Sequence, residues 1–190
     1  MPKKIEILPE SVSQSIAAGE VVERPASVVK ELMENAIDAG SSEITVELEA
    51  GGLRLIRVMD DGEGMDREDV PLAMQRYATS KVRKAEDLFA IQTLGFRGEA
   101  LPSIAQVSKM TLRTRTPDSL SGTKLTCEGG EIRIISETGC PIGTEVEVRD
   151  LFYNIPVKRK FLKSIRSELR YALNHFVRLS LSSPRISFKL

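Results

Sequence analysis

The 190-residue sequence is poor in the residues that support several kinds of chemistry. Its two cysteines, Cys127 and Cys140, are spaced neither as a redox pair nor as zinc ligands. His175 is the only histidine, so zinc catalysis and histidine-based catalytic triads are disfavoured. No apolar run is long enough to span a bilayer, and the N-terminus lacks the hydrophobic stretch of a signal peptide. We therefore expect a cytoplasmic protein that does not associate with membranes.

The rest of the composition is that of a globular domain. Hydrophobic residues make up 41% of the chain, which is enough for one domain with a proper core. The net charge is zero, but it is unevenly distributed. Residues 151–190 carry nine lysines and arginines against one acid, Glu168, so this end has a net charge of +8 and residues 1–150 have −8. We expect an electrostatically polarised molecule.

Hydrophobic periodicity predicts a mixture of helices and strands. The predicted elements are helices at 11–22, 25–39, 66–76 and 161–181, and strands at 44–48, 53–58, 110–114, 123–127, 132–136 and 144–148. Asp66 is the expected N-cap of the third helix, and residues 77–97, which lack a clear period, are expected to form a mobile loop. Residues 184–190 alternate like one more strand, and we assign them to the start of a second domain after a first domain of residues 1–183. The elements favour a two-layer α+β sandwich, a mixed and mostly antiparallel sheet covered on one face by helices.

The helix predicted at 25–39 carries the first candidate site. Glu31 and Asn35 lie one turn apart on its polar side and project together. Mg²⁺ usually takes one or two protein oxygens besides substrate phosphates, so Asn35 alone is a sufficient protein ligand. Glu31 can then act as the general base that deprotonates an attacking water. An ordinary surface helix has the same pattern, so this interpretation depends on a phosphate site elsewhere.

The segment after the second strand is a candidate base-binding loop. Asp60, at the end of an apolar strand, can accept a hydrogen bond from an exocyclic amine. Gly62 and Gly64 let a flat base lie against the backbone. The alternative is an Asp-Gly hairpin turn, although the helical pattern that follows argues against it.

Residues 95–101 read Gly-Phe-Arg-Gly-Glu-Ala-Leu and are a candidate phosphate loop. Glycines allow close approach of the backbone, and a helix N-terminus presents N–H donors to an anion. The alternative is a plain glycine turn before a helix. Thr79, Ser80 and Lys81 offer two hydroxyls and a cation suited to closing over phosphates, or else form a solvated loop. Gly143-Thr144 carries little information by itself.

In chain order these segments resemble the four motifs of the GHKL ATPases, which include gyrase B subunits, heat-shock chaperone ATPases, histidine kinases and MutL proteins. Within that group the similarity is to the mismatch-repair MutL proteins. It rests on residues 16–22, 24–25, 30–40, 95–101 and 150–156. The seven residues from Gly95 to Leu101 are highly specific for MutL, and the resemblance covers essentially the whole chain.

The resemblance implies the Bergerat fold, a mixed sheet under three helices, with ATP and Mg²⁺ as cofactors. By similarity Glu31 activates water, Asn35 holds Mg²⁺ and Asp60 receives the adenine amine. Met65 lines the adenine pocket, and Thr144 supports Asp60. The full ATP-binding set implied is Asn35, Asp60, Gly62, Gly64, Met65, Thr79, Ser80, Lys81, Gly95, Phe96, Arg97, Gly98, Glu99, Ala100, Leu101 and Thr144.

The resemblance also implies partners. MutL proteins act between a MutS-type mismatch recognition protein and a downstream nuclease or helicase, and ATP binding orders a lid and dimerises their N-terminal regions. Family members continue into a second domain that supplies a lysine to the γ-phosphate, so we expect turnover to depend on that lysine. Asp61 and Tyr77 stand where the family usually has asparagine and histidine, and neither is a proposed catalytic group.

The basic C-terminal segment has two interpretations. Its candidate DNA contacts are Lys158, Arg159, Lys160, Lys163 and Arg166. Lysine and arginine neutralise phosphates independently of sequence, so this segment predicts salt-dependent DNA affinity. The alternative is a solvated helix face or a docking face for a further domain. A DNA- or protein-binding module that does not use ATP is the corresponding alternative function, and a histidine kinase is disfavoured because His175 has no recognisable phosphoacceptor setting.

Overall fold

The computed structural model describes residues 6, 9, 17–81, 93–95 and 97–190. The helices are α1 (Pro25–Asp38), α2 (Asp69–Leu72), α3 (Ala100–Gln106), α4 (Pro156–Phe161) and α5 (Ile165–Ser182). The strands are β1 (Glu43–Glu49), β2 (Leu55–Asp60), β3 (Lys109–Arg115), β4 (Gly122–Glu128), β5 (Glu131–Thr138), β6 (Gly143–Arg149) and β7 (Ser187–Lys189). Within the described part of the chain, no helix is both long enough and apolar enough to cross a membrane.

The strands form one seven-stranded sheet in the order β5-β4-β3-β6-β2-β1-β7. Neighbouring strands are antiparallel, except that β1 and β7 are parallel. β6 lies between β3 and β2 and pairs with both, so it joins the β1–β2 hairpin to the β3–β4–β5 meander. The mixed, mostly antiparallel sheet expected from the sequence is confirmed.

Apolar and charged residues alternate along the strands, so the sheet has one apolar and one charged face. On β2, Ile56 and Val58 are buried, whereas Arg57 between them forms ion pairs with Glu47 at 2.6 Å and Glu147 at 2.8 Å. The apolar face packs against α1, and their shared core includes Val28, Val29, Leu32, Met33, Ile44, Val46, Met110, Leu112, Leu125, Val146 and Val148. The predicted two-layer sandwich with helices on one face is therefore confirmed.

The helix predicted at 66–76 is shorter in the structure. Regular helix is limited to α2, and Asp66 is not its N-cap, because its side chain accepts a hydrogen bond from the Thr116 hydroxyl at 3.1 Å instead. The chain after α2 turns, and Tyr77 adopts a positive φ of 66°, which an α-helix does not allow. The apolar residues whose spacing predicts a longer helix pack against the core from this irregular segment instead.

The helix predicted at 161–181 corresponds to α5, which begins four residues later, at Ile165. α4 ends at Phe161, and Leu162 is extended, with φ −67° and ψ 148°. Ser164 then caps α5 by accepting a hydrogen bond from the Ser167 N–H at 3.3 Å. A serine N-cap defines a new start, which the continuous apolar pattern conceals.

Other predicted elements lie partly outside the described residues or begin at a different residue. Residues 17–21 are helical, and 11–16 of the first predicted helix lie outside the described residues, as do 82–92 and 96 of the predicted loop. The β1–β2 connection includes a 3₁₀ turn at Ala50–Gly52, so β2 begins at Leu55 and not at Leu53.

The strand predicted near the C-terminal end belongs to the same sheet. β7 pairs in parallel with β1, with Ser187 opposite Glu43 and Lys189 opposite Thr45. Lys189 also forms an ion pair with Glu43 at 2.8 Å. The structure therefore places residues 187–189 at the edge of this sheet, and a domain boundary at residue 184 stays a prediction.

Candidate functional site

The polar side of α1 presents Glu31, Asn35 and Asp38, which share a face because they are spaced four and three residues apart. The Lys30 ammonium contacts Glu31 Oε1 and Glu34 Oε2, both at 2.9 Å. Burial lowers the pKa of Lys30, but its hydrogen bonds to Glu34 and Glu31 outweigh burial, so the pKa is raised overall. Glu31 is thus held by a cation on its own helix.

Asp38 connects two other segments to α1. Its side chain is only 5% exposed, and its Oδ2 accepts hydrogen bonds from Lys81 Nζ at 2.5 Å and from the Gly95 N–H at 3.0 Å. Its Oδ1 accepts one from the Leu94 N–H at 2.9 Å. Sequence reasoning missed this residue as a site residue. Its spacing from Glu31 along the polar side of the helix is the signal that identifies it.

Several predicted site residues meet at Asn35. Lys81 Nζ lies 3.3 Å from Asn35 Oδ1. A β-carbon on Gly95 would lie 3.5 Å from Lys81 Nζ and 3.8 Å from Asn35 Oδ1, so this part of the phosphate loop is next to both groups. Thr79 Oγ1 accepts a hydrogen bond from the Lys81 N–H at 3.2 Å, and Ser80 is exposed.

Asp60 ends β2 and has a fixed carboxyl. Its Oδ1 accepts hydrogen bonds from the Gly62 N–H at 2.9 Å and the Thr144 N–H at 3.2 Å. Thr144 is its direct partner across the β2–β6 ladder. Burial raises the pKa of Asp60 to about 6, although hydrogen bonds from Gly62, Thr144 and Ser41 act in the opposite direction. The structure therefore holds a hydrogen-bond acceptor at a defined position at the end of β2.

The loop after Asp60 packs closely enough to require two glycines. A β-carbon on Gly62 would lie 2.7 Å from the carbonyl oxygen of Ala39, just beyond α1. Gly64 has a φ of 69°, and a β-carbon there would collide with the carbonyl of Arg115. The loop thus lies between the end of α1 and the end of β3. It brings Asp60 next to the helix that carries the other candidate groups.

Thr114 on β3 links two of the predicted site residues. Its buried hydroxyl accepts a hydrogen bond from the Met65 N–H at 2.8 Å and lies 3.0 Å from the Thr144 hydroxyl. It donates to the Gly143 carbonyl at 3.0 Å. The sequence offers no local signal for Thr114, because β3 and β6 become neighbours only in the folded sheet.

Asp61 fixes the same loop to the beginning of β1. Its Oδ1 accepts hydrogen bonds from the N–H groups of Ser42 at 2.7 Å and Glu43 at 2.8 Å, and its Oδ2 pairs with the Ser42 hydroxyl. The hydrogen bond from the Ser42 hydroxyl lowers the pKa of Asp61. Asp61 therefore anchors the beginning of β1, at a position where the family usually has asparagine.

The middle of the phosphate loop packs against the residues after α2. Gly98 has a φ of 60°, and its carbonyl accepts a hydrogen bond from the Tyr77 N–H at 3.0 Å. A side chain at Gly98 would collide with the backbone of Ala78. Phe96 lies outside the described residues. The second glycine of the loop is therefore required by a close backbone contact.

The end of the phosphate loop enters α3. Glu99 directly precedes the helix and accepts a hydrogen bond from Arg76 Nη2 at 2.7 Å. Ala100 and Leu101 form the first turn, whose N–H groups have no partner within an α-helix. Arg97 is exposed. The loop is thus attached to α1 at its beginning and to the residues after α2 at its end.

The basic segment separates into one packed and several exposed cations. Lys158 Nζ contacts the carbonyl oxygens of Gly19 and Val22, the second at 3.0 Å, and lies 5.4 Å from the Phe152 ring. Burial lowers the pKa of Lys158. This lysine therefore holds the end of the helical residues 17–21. The remaining candidates are exposed, namely Arg159, Lys160, Lys163 and Arg166.

Comparison with known proteins identifies the family. Residues 23–138 match the family model described as "Histidine kinase-, DNA gyrase B-, and HSP90-like ATPase". The chain belongs to this ATPase family. The matched range includes α1, the loop after Asp60 and the candidate phosphate loop at residues 95–101.

Relatives of this GHKL protein are DNA mismatch repair proteins called MutL. MutL from Syntrophotalea carbinolica is 57% identical over 189 residues, which cover 100% of this chain and 30% of that protein. MutL from Streptococcus sanguinis is 54% identical over 190 residues, covering 100% of this chain and 29% of that protein. The chain therefore spans less than a third of the length of these relatives.

Solved structures give the same assignment. The Aquifex aeolicus MutL ATPase domain complexed with ADP is 38% identical, with a TM-score of 0.70, and covers 88% of this chain and 59% of that one. The N-terminal domain of a DNA repair protein is 31% identical, with a TM-score of 0.78, and covers 92% of this chain and 50% of that one. These likenesses confirm the GHKL fold and the resemblance to the N-terminal ATPase domain of MutL.

Proposed function

We propose that this chain binds ATP with Mg²⁺ and is the nucleotide-binding part of a MutL-type mismatch repair protein. The observation that carries the proposal is the packing of the Asp60 loop against the end of α1. This packing puts a fixed carboxyl beside the helix that presents Glu31 and Asn35. Membership of an ATPase family and likeness to a domain complexed with ADP support it.

Asp60 is proposed to receive the exocyclic amine of adenine. A carboxylate is an acceptor only, and its position is fixed here by the Gly62 and Thr144 N–H groups. Thr114 ties Met65 to Thr144, so both proposed adenine-pocket residues are held by one buried hydroxyl. A rigid acceptor of this kind distinguishes adenine from bases that lack an amine at the same position.

Asn35 is proposed to hold Mg²⁺, and its surroundings fit that ion. Its Oδ1 already faces a cation, the Lys81 ammonium at 3.3 Å. Mg²⁺ prefers oxygen ligands and keeps waters, so one amide oxygen together with nucleotide phosphates is an adequate set. The phosphates are proposed to contact residues 95–101 and the Thr79, Ser80 and Lys81 segment, of which Gly95 and Lys81 lie beside Asn35.

Glu31 is proposed to accept the proton of the attacking water. The Lys30 ammonium contacts Glu31 Oε1 at 2.9 Å, so the side chain that would act as general base is held in place on the polar side of α1. The bound metal ion would neutralise phosphate charge, and the chain's own contribution is to orient water and phosphates. Turnover is proposed to depend on a lysine of the kind that a second domain supplies in MutL proteins.

In the whole protein, nucleotide binding is proposed to act as a switch. The proposed partners are a MutS-type mismatch recognition protein, a downstream nuclease or helicase, and a second copy of the protein in an ATP-dependent homodimer. The switch would link mismatch recognition to strand incision. A cytoplasmic location stays a prediction.

A calorimetric titration with Mg·ADP and Mg·ATP tests the nucleotide site. We expect binding by the unaltered chain and a rise in melting temperature, because ligand at about 100 times its Kd stabilises a protein by about 2.7 kcal/mol. Asp60→Ala should abolish binding, whereas Glu31→Ala should bind nucleotide and lose any turnover. A folded chain that shows neither heat of binding nor a thermal shift at millimolar nucleotide contradicts the proposal.

A second proposed activity is DNA contact through the basic segment. Arg159, Lys160, Lys163 and Arg166 are exposed beside Phe161, which is 79% exposed. Exposed cations around an exposed aromatic ring suit a nucleic-acid backbone and its bases. Replacing the four cations by glutamine should weaken DNA binding and flatten its salt dependence. If DNA affinity is unaffected by nucleotide and by Asp60→Ala, the nucleotide-independent binding module becomes the better description.

A further inference from the structure

The Lys81 ammonium lies between two side chains of α1, Asp38 and Asn35. It contacts Asp38 Oδ2 at 2.5 Å and Asn35 Oδ1 at 3.3 Å. The Lys81 and Asp38 side chains are 20% and 5% exposed, so water screens this pair little. The proposed metal ligand is therefore already in contact with a fixed positive charge.

We propose that the Lys81 ammonium and Mg²⁺ compete for Asn35 Oδ1, and that Asp38 holds the ammonium there while nucleotide is absent. This inference rests on the proposed function, because it concerns the same site. It assigns Asp38 a role as a positioning residue and makes Lys81 an internal competitor of the metal ion.

The physical reason is repulsion at a shared oxygen. Mg²⁺ binds oxygen at about 2.0–2.1 Å and demands near-ideal octahedral geometry. An ammonium 3.3 Å from the same oxygen would lie no more than about 5.4 Å from an ion bound to that oxygen. A monovalent and a divalent cation in a poorly hydrated site repel each other strongly. The ammonium therefore leaves Asn35 when the metal ion arrives, and nucleotide phosphates offer it a new partner.

Asp38 is suited to hold the ammonium and the phosphate loop together. Its two oxygens also accept the N–H groups of Leu94 and Gly95, at 2.9 Å and 3.0 Å. These contacts fix the carboxylate whether or not Lys81 is present. Release of Lys81 thus leaves Asp38 with the hydrogen bonds that attach the beginning of the phosphate loop to α1.

The first test compares the affinity for ADP with Mg²⁺ and with EDTA in the unaltered chain, in Lys81→Met and in the control Lys124→Met on β4. The Kd in EDTA divided by the Kd with Mg²⁺ measures how much Mg²⁺ strengthens ADP binding. Removing the competitor should raise this ratio by about fivefold or more, while affinity in EDTA falls because the phosphates lose a cation. Lys124→Met should leave the ratio unchanged.

An equal loss of affinity in both buffers would make Lys81 a phosphate ligand only and would overturn the inference, while nucleotide binding itself stands. Absence of ADP binding by the unaltered chain in both buffers overturns the proposed function instead, and the inference with it.

The second test examines the contact between Lys81 and Asp38 without nucleotide. Amine acylation followed by mass spectrometry should modify Lys81 slowly in the unaltered chain and several-fold faster in Asp38→Asn, which keeps the shape of the side chain and removes its charge. The rate at Lys124 in the same samples reports whether the variant is folded. Unchanged acylation of Lys81 in folded Asp38→Asn overturns the role given to Asp38.

Discussion

Asp60→Asn is expected to stabilise the nucleotide-free protein while it abolishes nucleotide binding. Burial raises the pKa of Asp60 to about 6 from an ordinary value of 3.8. One pKa unit corresponds to about 1.4 kcal/mol, so ionisation of Asp60 costs the folded protein up to about 3 kcal/mol above pH 7. Asparagine keeps an oxygen for the Gly62 and Thr144 N–H groups and carries no charge. We therefore expect a gain of about 1–3 kcal/mol at pH 7.5.

The pH dependence of this gain follows from the direction of the pKa change. The folded chain holds the Asp60 proton more tightly than the unfolded chain does, so protonated Asp60 favours folding at low pH. That contribution is fully present below pH 3.8 and is lost as pH rises through about 6. The advantage of Asp60→Asn should therefore be small near about pH 4 and reach its maximum above about pH 7.

Urea unfolding of both proteins at several pH values between about 4 and 8 measures this gain, and calorimetry with Mg·ADP measures the loss of binding. The neighbour Asp61 provides a matched control. Its pKa is lowered by the hydrogen bond from Ser42, so Asp61→Asn should destabilise the fold at neutral pH. A destabilised Asp60→Asn at pH 7.5, or a difference from the unaltered chain that does not vary with pH, refutes the reasoning.

Three further substitutions test other parts of the site. Gly64→Ala should lower the free energy of unfolding in urea by about 2 kcal/mol or more, because it adds a collision with Arg115 to a positive φ. The control Gly40→Ala has open space around it and should lower the free energy of unfolding by only about 1 kcal/mol. Thr114→Val should lower the free energy of unfolding by about 1–3 kcal/mol and weaken ADP binding, because Met65 and Thr144 lose their shared partner. The control Thr111→Val, on the same strand, should leave ADP affinity unchanged in the same titration. Lys158→Met should speed amide hydrogen exchange in residues 17–22, because the Gly19 and Val22 carbonyls lose their donor, and unchanged exchange there contradicts the packing role.

Features carried by neighbouring residues could be predicted from the sequence. α1 follows from apolar spacing and Pro25 at its first turn, and its observed bounds match the prediction within one residue. The β1–β2 hairpin follows from alternation and the glycine turn. Glu31 and Asn35 were identified because helical geometry alone places them on one face.

Features that depend on distant parts of the chain could not be predicted in this way. Thr114 joins the site because β6 inserts next to β3, and no local pattern encodes that choice. The break at Leu162 is invisible to periodicity, since apolar residues continue across it. β7 reads as a strand without a partner because its partner, β1, lies far earlier in the chain.

The insertion of β6 also determines when this site exists during folding. Asp60 and Thr144 are 84 residues apart in sequence, yet they are direct partners in the middle of the sheet. Closing so long a loop is a late, entropically costly event compared with forming the β1–β2 hairpin. A chain that has formed only the β1–β2 hairpin and the β3–β4–β5 meander lacks the Thr144 N–H that fixes the Asp60 carboxyl. The proposed nucleotide site is therefore complete only in the fully assembled sheet, and nucleotide binding would report on completion of that sheet.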